Sequence, residues 1–409
     1  MSKLQPVNWT FALLKQNPFP TTPPRHPEEA VWAGFTRLKK QFDSLFLEAL
    51  TTSRTQVVLN RGEYGSGKTH AAIYFRRSDR LPAPEGKNVR DTWIFYIQTP
   101  KEPEQADRLL YRNFIEAVRF GQLRSVVRDI IQELGAQMAL EKLQEVVESE
   151  VLGKALWLLG HEMNHSGQLS MFEQDEASEE WQRLLEAYFF SQTTKSDLRR
   201  LGLSRGIDSA RDRFHLLGGV VQCLIGLAPT NQIEQHRRII LWIDELEDLI
   251  YYTTRHYRPF TQGLRELIDR LPAYFTLMMN FTLASPEALQ DIETVLGKAI
   301  LDRVTHNIYF QEPDEEEAIE YVCELLRLYR TEEPDVRDLP VTYPFEEEAL
   351  RVLLSDLPTR TPRDINQKCA DVVIQALQRG IISAPGVGVI HKEFIQQLES
   401  ERIDLDLRK

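Results

Sequence analysis

The sequence predicts an α/β fold built on a parallel sheet, with a large helical insertion within it and a helical region after it. Three observations carry that reading. Residues 91–98 and 238–243 are short, β-branched or aromatic runs, and the second is almost wholly apolar, as a parallel strand buried on both faces must be. Helical periodicity fills most of the roughly 130 residues between them, far more than one crossover connection needs. Beyond Pro313 the pattern is helical only.

Residues 1–27 are proline-rich (Asn17-Pro18-Phe19-Pro20, then 21–27), which predicts an irregular arm with one short helix, packed along a core by Trp9, Phe11 and Phe19. Over 28–50 the apolar residues Val31, Phe35, Leu38, Phe42, Leu45, Phe46 and Ala49 recur at helical spacing, giving an amphipathic helix with Arg37, Lys39 and Lys40 on its wet face. Residues 56–60 read as the first strand, 69–75 as a helix and 91–98 as the second strand. The insertion reads as helices over 108–120, 123–138, 141–163, 179–190 and 210–227. Residues 238–243, 275–283 and 306–310 are strands three to five, followed by helices over 315–330, 345–354 and 362–380 and a short tail to Lys409. No internal repeat or low-complexity tract is present.

A chain of 409 residues with 42% hydrophobic content can bury a large core and has room for two or three domains. Its longest apolar run is half a membrane span and Asn280 interrupts it, and the N-terminus lacks a charged-then-apolar leader pattern, so a cytoplasmic protein with no membrane partner is expected. Cys223, Cys323 and Cys369 are odd in number, scattered and without CxxC spacing, which argues against a disulfide framework or a cysteine zinc site. A net charge of −12 gives no global pull toward nucleic acid or anionic lipid, and leaves only local contact. The acidic runs 312–320, 346–348 and 175–180 read as solvated helix starts.

Between the first strand and the helix that follows lies Gly62-Glu63-Tyr64-Gly65-Ser66-Gly67-Lys68-Thr69, which fits G-x-x-x-x-G-K-[ST]. Glycines let backbone N–H groups turn inward around phosphate oxygens, Lys68 neutralises charge on the β- and γ-phosphates, the Thr69 hydroxyl ligates Mg²⁺, and the helix offers its positive end. Nucleoside triphosphate binding follows. Residues 239–243 then deliver two adjacent carboxylates, Asp244 and Glu245, at a strand's C-terminal end, where ligands sit in open α/β sheets. In that Walker B pattern Asp244 holds Mg²⁺ through water and Glu245 orients and deprotonates the attacking water. The plainer alternative makes the pair the cap of the next helix.

This order of parts resembles the AAA+ ATPases over most of residues 50–380. Asn17-Pro18-Phe19, the stretch Arg61 to His70 and Ile243-Asp244-Glu245-Leu246-Glu247 are most similar to the origin-recognition-like branch, which includes transposition regulators and ATP-binding proteins of phage-defence loci. The resemblance implies an N-terminal arm and helix over 1–50, an AAA+ core over 51–311 with a parallel sheet and an insertion at about 101–235, a helical lid over 312–381 and a tail over 382–409. It implies ATP and Mg²⁺ as cofactors, with nucleotide contacts from Gly62, Glu63, Tyr64, Gly65, Ser66, Gly67, Lys68, Thr69 and His70. Asn280 resembles the sensor 1 residue, with Thr282 as the alternative; Arg303 resembles a finger inserted into a neighbouring subunit's site, and Arg363 the sensor 2 arginine of the lid. An always-charged planar donor suits both arginine roles, and a surface ion pair is the plain alternative for each. A finger acting in trans makes a homo-oligomer part of the mechanism. Two features depart from the branch: the residues after Gly380 are too few for its winged-helix DNA-binding domain, and the insertion is unusually large, which points to it as the carrier of specificity for a protein partner.

Two other signals compete. His161-Glu162-Met163-Asn164-His165 matches the H-E-x-x-H zinc-hydrolase spacing, but Ser166-Gly167 ends the helix at once and only generic acids (Glu179, Glu180, Glu186) offer a third ligand, so a helix end with solvated histidines is the plainer reading. Residues 251–258 interleave aromatic and cationic side chains, with Arg255, Tyr257 and Arg258 as candidates for stacking on bases and pairing with phosphates of a nucleic acid; a subunit-interface loop is the alternative, and double-stranded DNA is the partner considered. Arg199, Arg200 and Arg205 form a weaker cluster. The function expected is an ATPase that assembles to regulate or load a partner, on DNA; a nucleotide-held scaffold with little turnover and no DNA is the alternative.

Overall fold

The computed structural model describes residues 7–83, 92–102, 105–161, 171–227, 236–285, 288–332 and 339–406. Five strands form one sheet: β1 (Gln56–Glu63), β2 (Thr92–Gln98), β3 (Arg238–Asp244), β4 (Phe275–Leu283) and β5 (His306–Phe310), in the order β2-β3-β4-β1-β5. β2 and β3 run parallel with Thr92 beside Arg238 and Gln98 beside Asp244, and β3 and β4 are parallel from Ile239 beside Phe275 to Ile243 beside Met279. Every residue of β3 is buried, as its apolar run requires. The fold is α/β.

The chain divides into two compact units. One comprises Asp43–Arg61 and Phe75–Ile308; the other comprises Met1–Phe42, Gly62–Tyr74 and Tyr309–Lys409. Helix α1 covers Thr36–Thr51, eight residues shorter at its start than the spacing predicts, and α2 covers Lys68–Tyr74. The late start of α1 has a physical cause in the second unit. Gly34 and Phe35 both take left-handed backbone angles (φ 53° and 47°), the Gly34 N–H donates to the Glu324 carboxylate at 2.6 Å, and a Cβ on Gly34 would lie 2.8 Å from the Tyr321 Cα. Val31 and Phe35, read as helix face, instead pack on this unit's core.

In the first unit the insertion contributes α3 (Ala106–Val118), α4 (Phe120–Leu134), α5 (Ala136–Val147), α6 (Glu150–Gly160), α7 (Met171–Phe189), α8 (Lys195–Leu201) and α9 (Ala210–Ile225). Two stretches read as single helices are broken. Gly135 (φ 80°) separates α4 from α5, and left-handed Glu148 ends α5 just before Ser149, which caps α6 by accepting from the Leu152 N–H. Thr194 and Ser209 open α8 and α9 with reciprocal capping boxes to Asp197 and Asp212. α10 (Thr254–Arg270), α11 (Leu289–Leu296) and α12 (Lys298–Leu301) complete the unit. Its core runs without a break from strand residues such as Ile239, Leu241 and Leu277 to insertion residues such as Phe114, Leu143, Leu156 and Leu217, so the insertion shares the sheet's hydrophobic core. A partly buried Arg213–Asp107 pair at 2.6 Å ties α9 to α3.

The second unit packs α13 (Glu315–Leu328), α14 (Glu347–Ser355), α15 (Pro362–Gln378) and α16 (Lys392–Asp406) around Val322, Leu350, Ile365, Val373 and Ile395. The stretch read as a tail thus holds a helix whose Phe394 and Ile395 are buried. The N-terminal arm, with a 3₁₀ turn at Trp9–Ala12, belongs to the same core: Phe19 is fully buried, the Lys15 N–H donates to the Tyr329 carbonyl at 2.7 Å and Asn366 Nδ2 to the Pro20 carbonyl at 2.7 Å. Among the described residues no helix is long and apolar enough to cross a membrane.

Candidate functional site

The phosphate loop leaves β1 at Glu63 and enters α2 at Lys68. Gly65 and Gly67 hold φ of 82° and 97°, angles that a side chain would strain, and a Cβ on Gly62 would lie 2.7 Å from the Phe310 Cβ. Lys68 is only 6% exposed, and its ammonium donates to the Gly62 carbonyl (2.8 Å), the Glu63 carbonyl (2.9 Å) and Ser66 Oγ (3.2 Å). A buried ammonium costs several kcal/mol unless water is replaced, and three loop oxygens match its three protons. Thr69 is half-buried one residue on. The donor set of one ammonium, the Ser66 and Thr69 hydroxyls and a glycine-lined backbone fits a polyphosphate with its Mg²⁺. Tyr64 projects outward at 72% exposure, with Arg363 Cζ 4.0 Å from its ring centre. His70 turns to the arm: its Nε2 lies 2.7 Å from the Val31 carbonyl.

In the other unit, side chains from β2 and β4 meet the Asp244 carboxylate at the end of β3, and β1 supports the β4 side chain. Asp244 is 2% exposed; its Oδ2 accepts from the Tyr96 hydroxyl (2.8 Å), and its Oδ1 from Asn280 Nδ2 (2.9 Å) and the Glu245 N–H (3.0 Å). Asn280 Oδ1 accepts in turn from Asn60 Nδ2 at 2.8 Å, and both asparagines are fully buried. A carboxylate can only accept, so the relay from β1 through β4 to β3 has one direction. Thr99 anchors the Asp244 carbonyl through its N–H (2.8 Å) and its hydroxyl (2.7 Å).

Glu245 sits in the left-handed region (φ 62°, ψ 37°), which costs a non-glycine residue about 1–2 kcal/mol. It occupies the cap position of the 3₁₀ turn Leu246–Tyr251, yet its side chain makes no capping hydrogen bond, and its Oε2 is buried without a partner. Burial, and then the Asp244 carboxylate, hold its pKa above the ordinary glutamate range. An orphaned carboxylate of raised proton affinity beside a hydrogen-bonded one is suited to general-base work. Of the two sensor 1 candidates, Asn280 engages Asp244, whereas Thr282 uses its backbone N–H on Glu247 Oε2 (2.9 Å). Tyr96 and Asn60 are not singled out by the sequence; the one available signal is the amide at position 60 directly after the apolar run Val57 to Leu59.

Arg303 is engaged within its own unit: Nε and one terminal nitrogen pair with the two Asp269 oxygens (2.6 and 2.9 Å), and the other donates to the Ala299 carbonyl (2.6 Å). Tyr257 is not available to stack on a base. It is 2% exposed, and its hydroxyl donates to the Thr294 carbonyl at 3.1 Å, because α10 begins at Thr254 and puts it on the inner stripe with Phe260, Leu264 and Leu267. Arg255 and Arg258 are exposed, Arg265 lies on the same helix side, and Tyr251 is 81% exposed; among the described residues no ion pair engages the three arginines. Arg200 and Arg205 pair with Glu180 and Asp212, both at 2.8 Å. Of the H-E-x-x-H stretch, Glu162 to His165 lie outside the described residues, and His161 stacks on Trp157 at 3.8 Å. Among the described residues no group of three or more His, Cys, Asp or Glu is placed to hold a metal.

The class defined so far is an α/β protein whose β1–α2 loop carries the P-loop sequence pattern and whose β3 ends in an acidic pair. No protein-family model matches the chain, and no curated protein sequence does. Solved structures are similar to it in outline. Drosophila ORC bound to DNA covers 98% of this chain and 69% of its own length at TM-score 0.44 and 12% identity; the Walker-type ATPase of Pyrococcus abyssi covers 96% and 80% at 0.41 and 12%; the Aeropyrum pernix ORC2 protein in its ADP form covers 95% and 73% at 0.46 and 10%. Likeness of that degree carries no conclusion about activity, which rests on the site.

Proposed function

We propose that this chain is an ATPase of the AAA+ type that binds ATP with Mg²⁺, assembles with copies of itself, hydrolyses slowly and uses the cycle to regulate or load a partner on double-stranded DNA. The observation that carries the reading is the glycine-lined loop around the buried Lys68 ammonium, a cation whose loop oxygens a polyphosphate can replace. By the sequence pattern, Lys68 would take phosphate charge, Thr69 and Asp244 would be the residues to hold the metal, and Glu245 would accept the proton of the attacking water, while Asn280 and Tyr96 fix the Asp244 carboxylate. The metal supplies charge neutralisation on the phosphates. Arg363 serves as the lid's sensor and Arg303 as the finger toward a second subunit. The outward arginines of α10, with Tyr251, are the face for nucleic acid phosphates, and the insertion is the surface for a protein partner.

One observation favours the second reading, a nucleotide-held scaffold with little turnover: every Arg303 donor group is already engaged by Asp269 and Ala299. ATP turnover per subunit, measured across protein concentration with and without duplex DNA, separates the two. A rate that rises with concentration and with DNA supports the assembling ATPase; a low rate indifferent to both supports the scaffold. Turnover undiminished in Glu245→Gln removes the water-activating role of that residue.

A further inference from the structure

We propose that Tyr64 is a positioning residue that holds Arg363 ready for the terminal phosphate, and so sets how well this site tells a nucleoside triphosphate from a diphosphate. The inference rests on the ATP-binding reading and concerns one compact unit, which contains both residues. Tyr64 is the one exposed side chain of the loop 62–69, and its ring carries Arg363 Cζ at 4.0 Å, well inside the ~6 Å at which such pairs count. Among the described residues no carboxylate or carbonyl engages the Arg363 guanidinium. That contrasts with Arg351, which collects Glu315, Glu316 and Glu347, and with Arg379, which takes Glu401 bidentately.

The backbones on either side of the pair are fixed. The Cβ position of Gly65 lies 3.0 Å from both Arg363 Cβ and Thr361 Oγ1, so the loop rests directly on the first turn of α15. Thr361 caps that turn by accepting from the Asp364 N–H, and the Asp364 carboxylate accepts from the Thr359 and Thr361 hydroxyls at 2.6 Å each. Asp364 is therefore occupied, and the only freedom left to Arg363 is in its own side chain. Freezing an arginine is among the largest side-chain entropy costs, and an aromatic partner prepays it. A partner that is an aromatic ring and not an oxygen leaves the guanidinium N–H donors for phosphate oxygens. A triphosphate offers them one more charged group than a diphosphate, so the ring's effect falls on the ratio of the two affinities.

The test is calorimetric binding of a non-hydrolysable ATP analogue and of ADP, each with Mg²⁺, to wild type, Tyr64→Phe, Tyr64→Leu, Arg363→Ala and the Tyr64→Leu/Arg363→Ala double variant. Tyr64→Leu is expected to lower the preference for the triphosphate about 3- to 30-fold, with ADP affinity little changed. Tyr64→Phe keeps the preference, and the double variant loses no more than Arg363→Ala alone. A preference that is unchanged or increased in Tyr64→Leu, or lost equally in Tyr64→Phe, overturns the role. Lys68→Ala separates the two levels: its binding both nucleotides like wild type would overturn the ATP-binding reading and this inference with it, whereas its loss of binding beside an unaltered Tyr64→Leu preference overturns this inference alone.

Discussion

Replacing Tyr96 by Phe removes one proton donor and little else. The ring keeps its volume and its place under Arg76, whose Cζ lies 5.6 Å from the ring centre. Asp244 Oδ2 loses the 2.8 Å bond from the tyrosine hydroxyl, and at 2% exposure no water takes its place. Hydrogen bonds to a charged group contribute about 1.5–3 kcal/mol, so a loss of about 2 kcal/mol is expected. For a unit of this size that corresponds to a fall in thermal midpoint of about 4–8 °C, read by tryptophan fluorescence, with Trp242 buried on the strand that ends at Asp244. Saturating ATP with Mg²⁺ should narrow the gap between variant and wild type, since a bound cation would offset the Asp244 charge. A midpoint within about 1 °C of wild type would show that the hydroxyl does not support a buried anion, and the reasoning about the Asp244 cluster would fall with it.

Glu245→Gln carries a pH signature. Burial holds the folded-state pKa of Glu245 above the ordinary value of 4.5, so the unfolded chain ionises first and stability drains away as pH rises between the two values. The variant is expected to melt higher than wild type at pH 7–8, with the advantage fading toward pH 4.5 in thermal melts followed by tryptophan fluorescence across pH; an advantage constant with pH contradicts the buried-acid argument. In wild type, ATP turnover should fall on the acid side through the same window, as the base takes up its proton. Arg303→Ala should leave ATP affinity within about twofold and cost under about 1 kcal/mol in stability, because its pairing with Asp269 is solvent-exposed. If the finger works in trans, mixing that variant with Lys68→Ala protein restores turnover, and failure to restore it places the arginine's role within its own subunit.

The five strands and the P-loop were legible because their signals are local: a run of β-branched residues, or a fixed spacing of glycines and a lysine. The Asp244 cluster was legible only in part. Asp244 sits at the strand end where ligand chemistry is expected and Asn280 lies within β4, but nothing in the run Thr92–Gln98 marks Tyr96 as a partner of Asp244, since the pairing depends on sheet order. The start of α1 was misread because apolar spacing continues through Val31 and Phe35 while the backbone reverses at Gly34, a reversal set by Glu324 and Tyr321 far along the chain. The break at Gly135 was readable from the glycine itself, and Tyr257 from its i, i+3, i+7, i+10 spacing with Phe260, Leu264 and Leu267.

The union of the N-terminal arm with the C-terminal helices has a consequence for biosynthesis. Phe19, Leu14 and Ala12 find their apolar neighbours among helices α13 to α16, and Asn366 bonds to the Pro20 carbonyl across 346 residues of sequence. At ribosomal speeds the arm therefore waits roughly 20–70 s for its partners to be made. Throughout that interval its sticky side chains need a shelter other than the native one, while the five strands and the insertion lie within residues 56–310 and have their full complement earlier. Translation rate and chaperone supply thus bear chiefly on one end of this protein, and slow emergence of the last hundred residues is the step at which newly made chains are most exposed to aggregation.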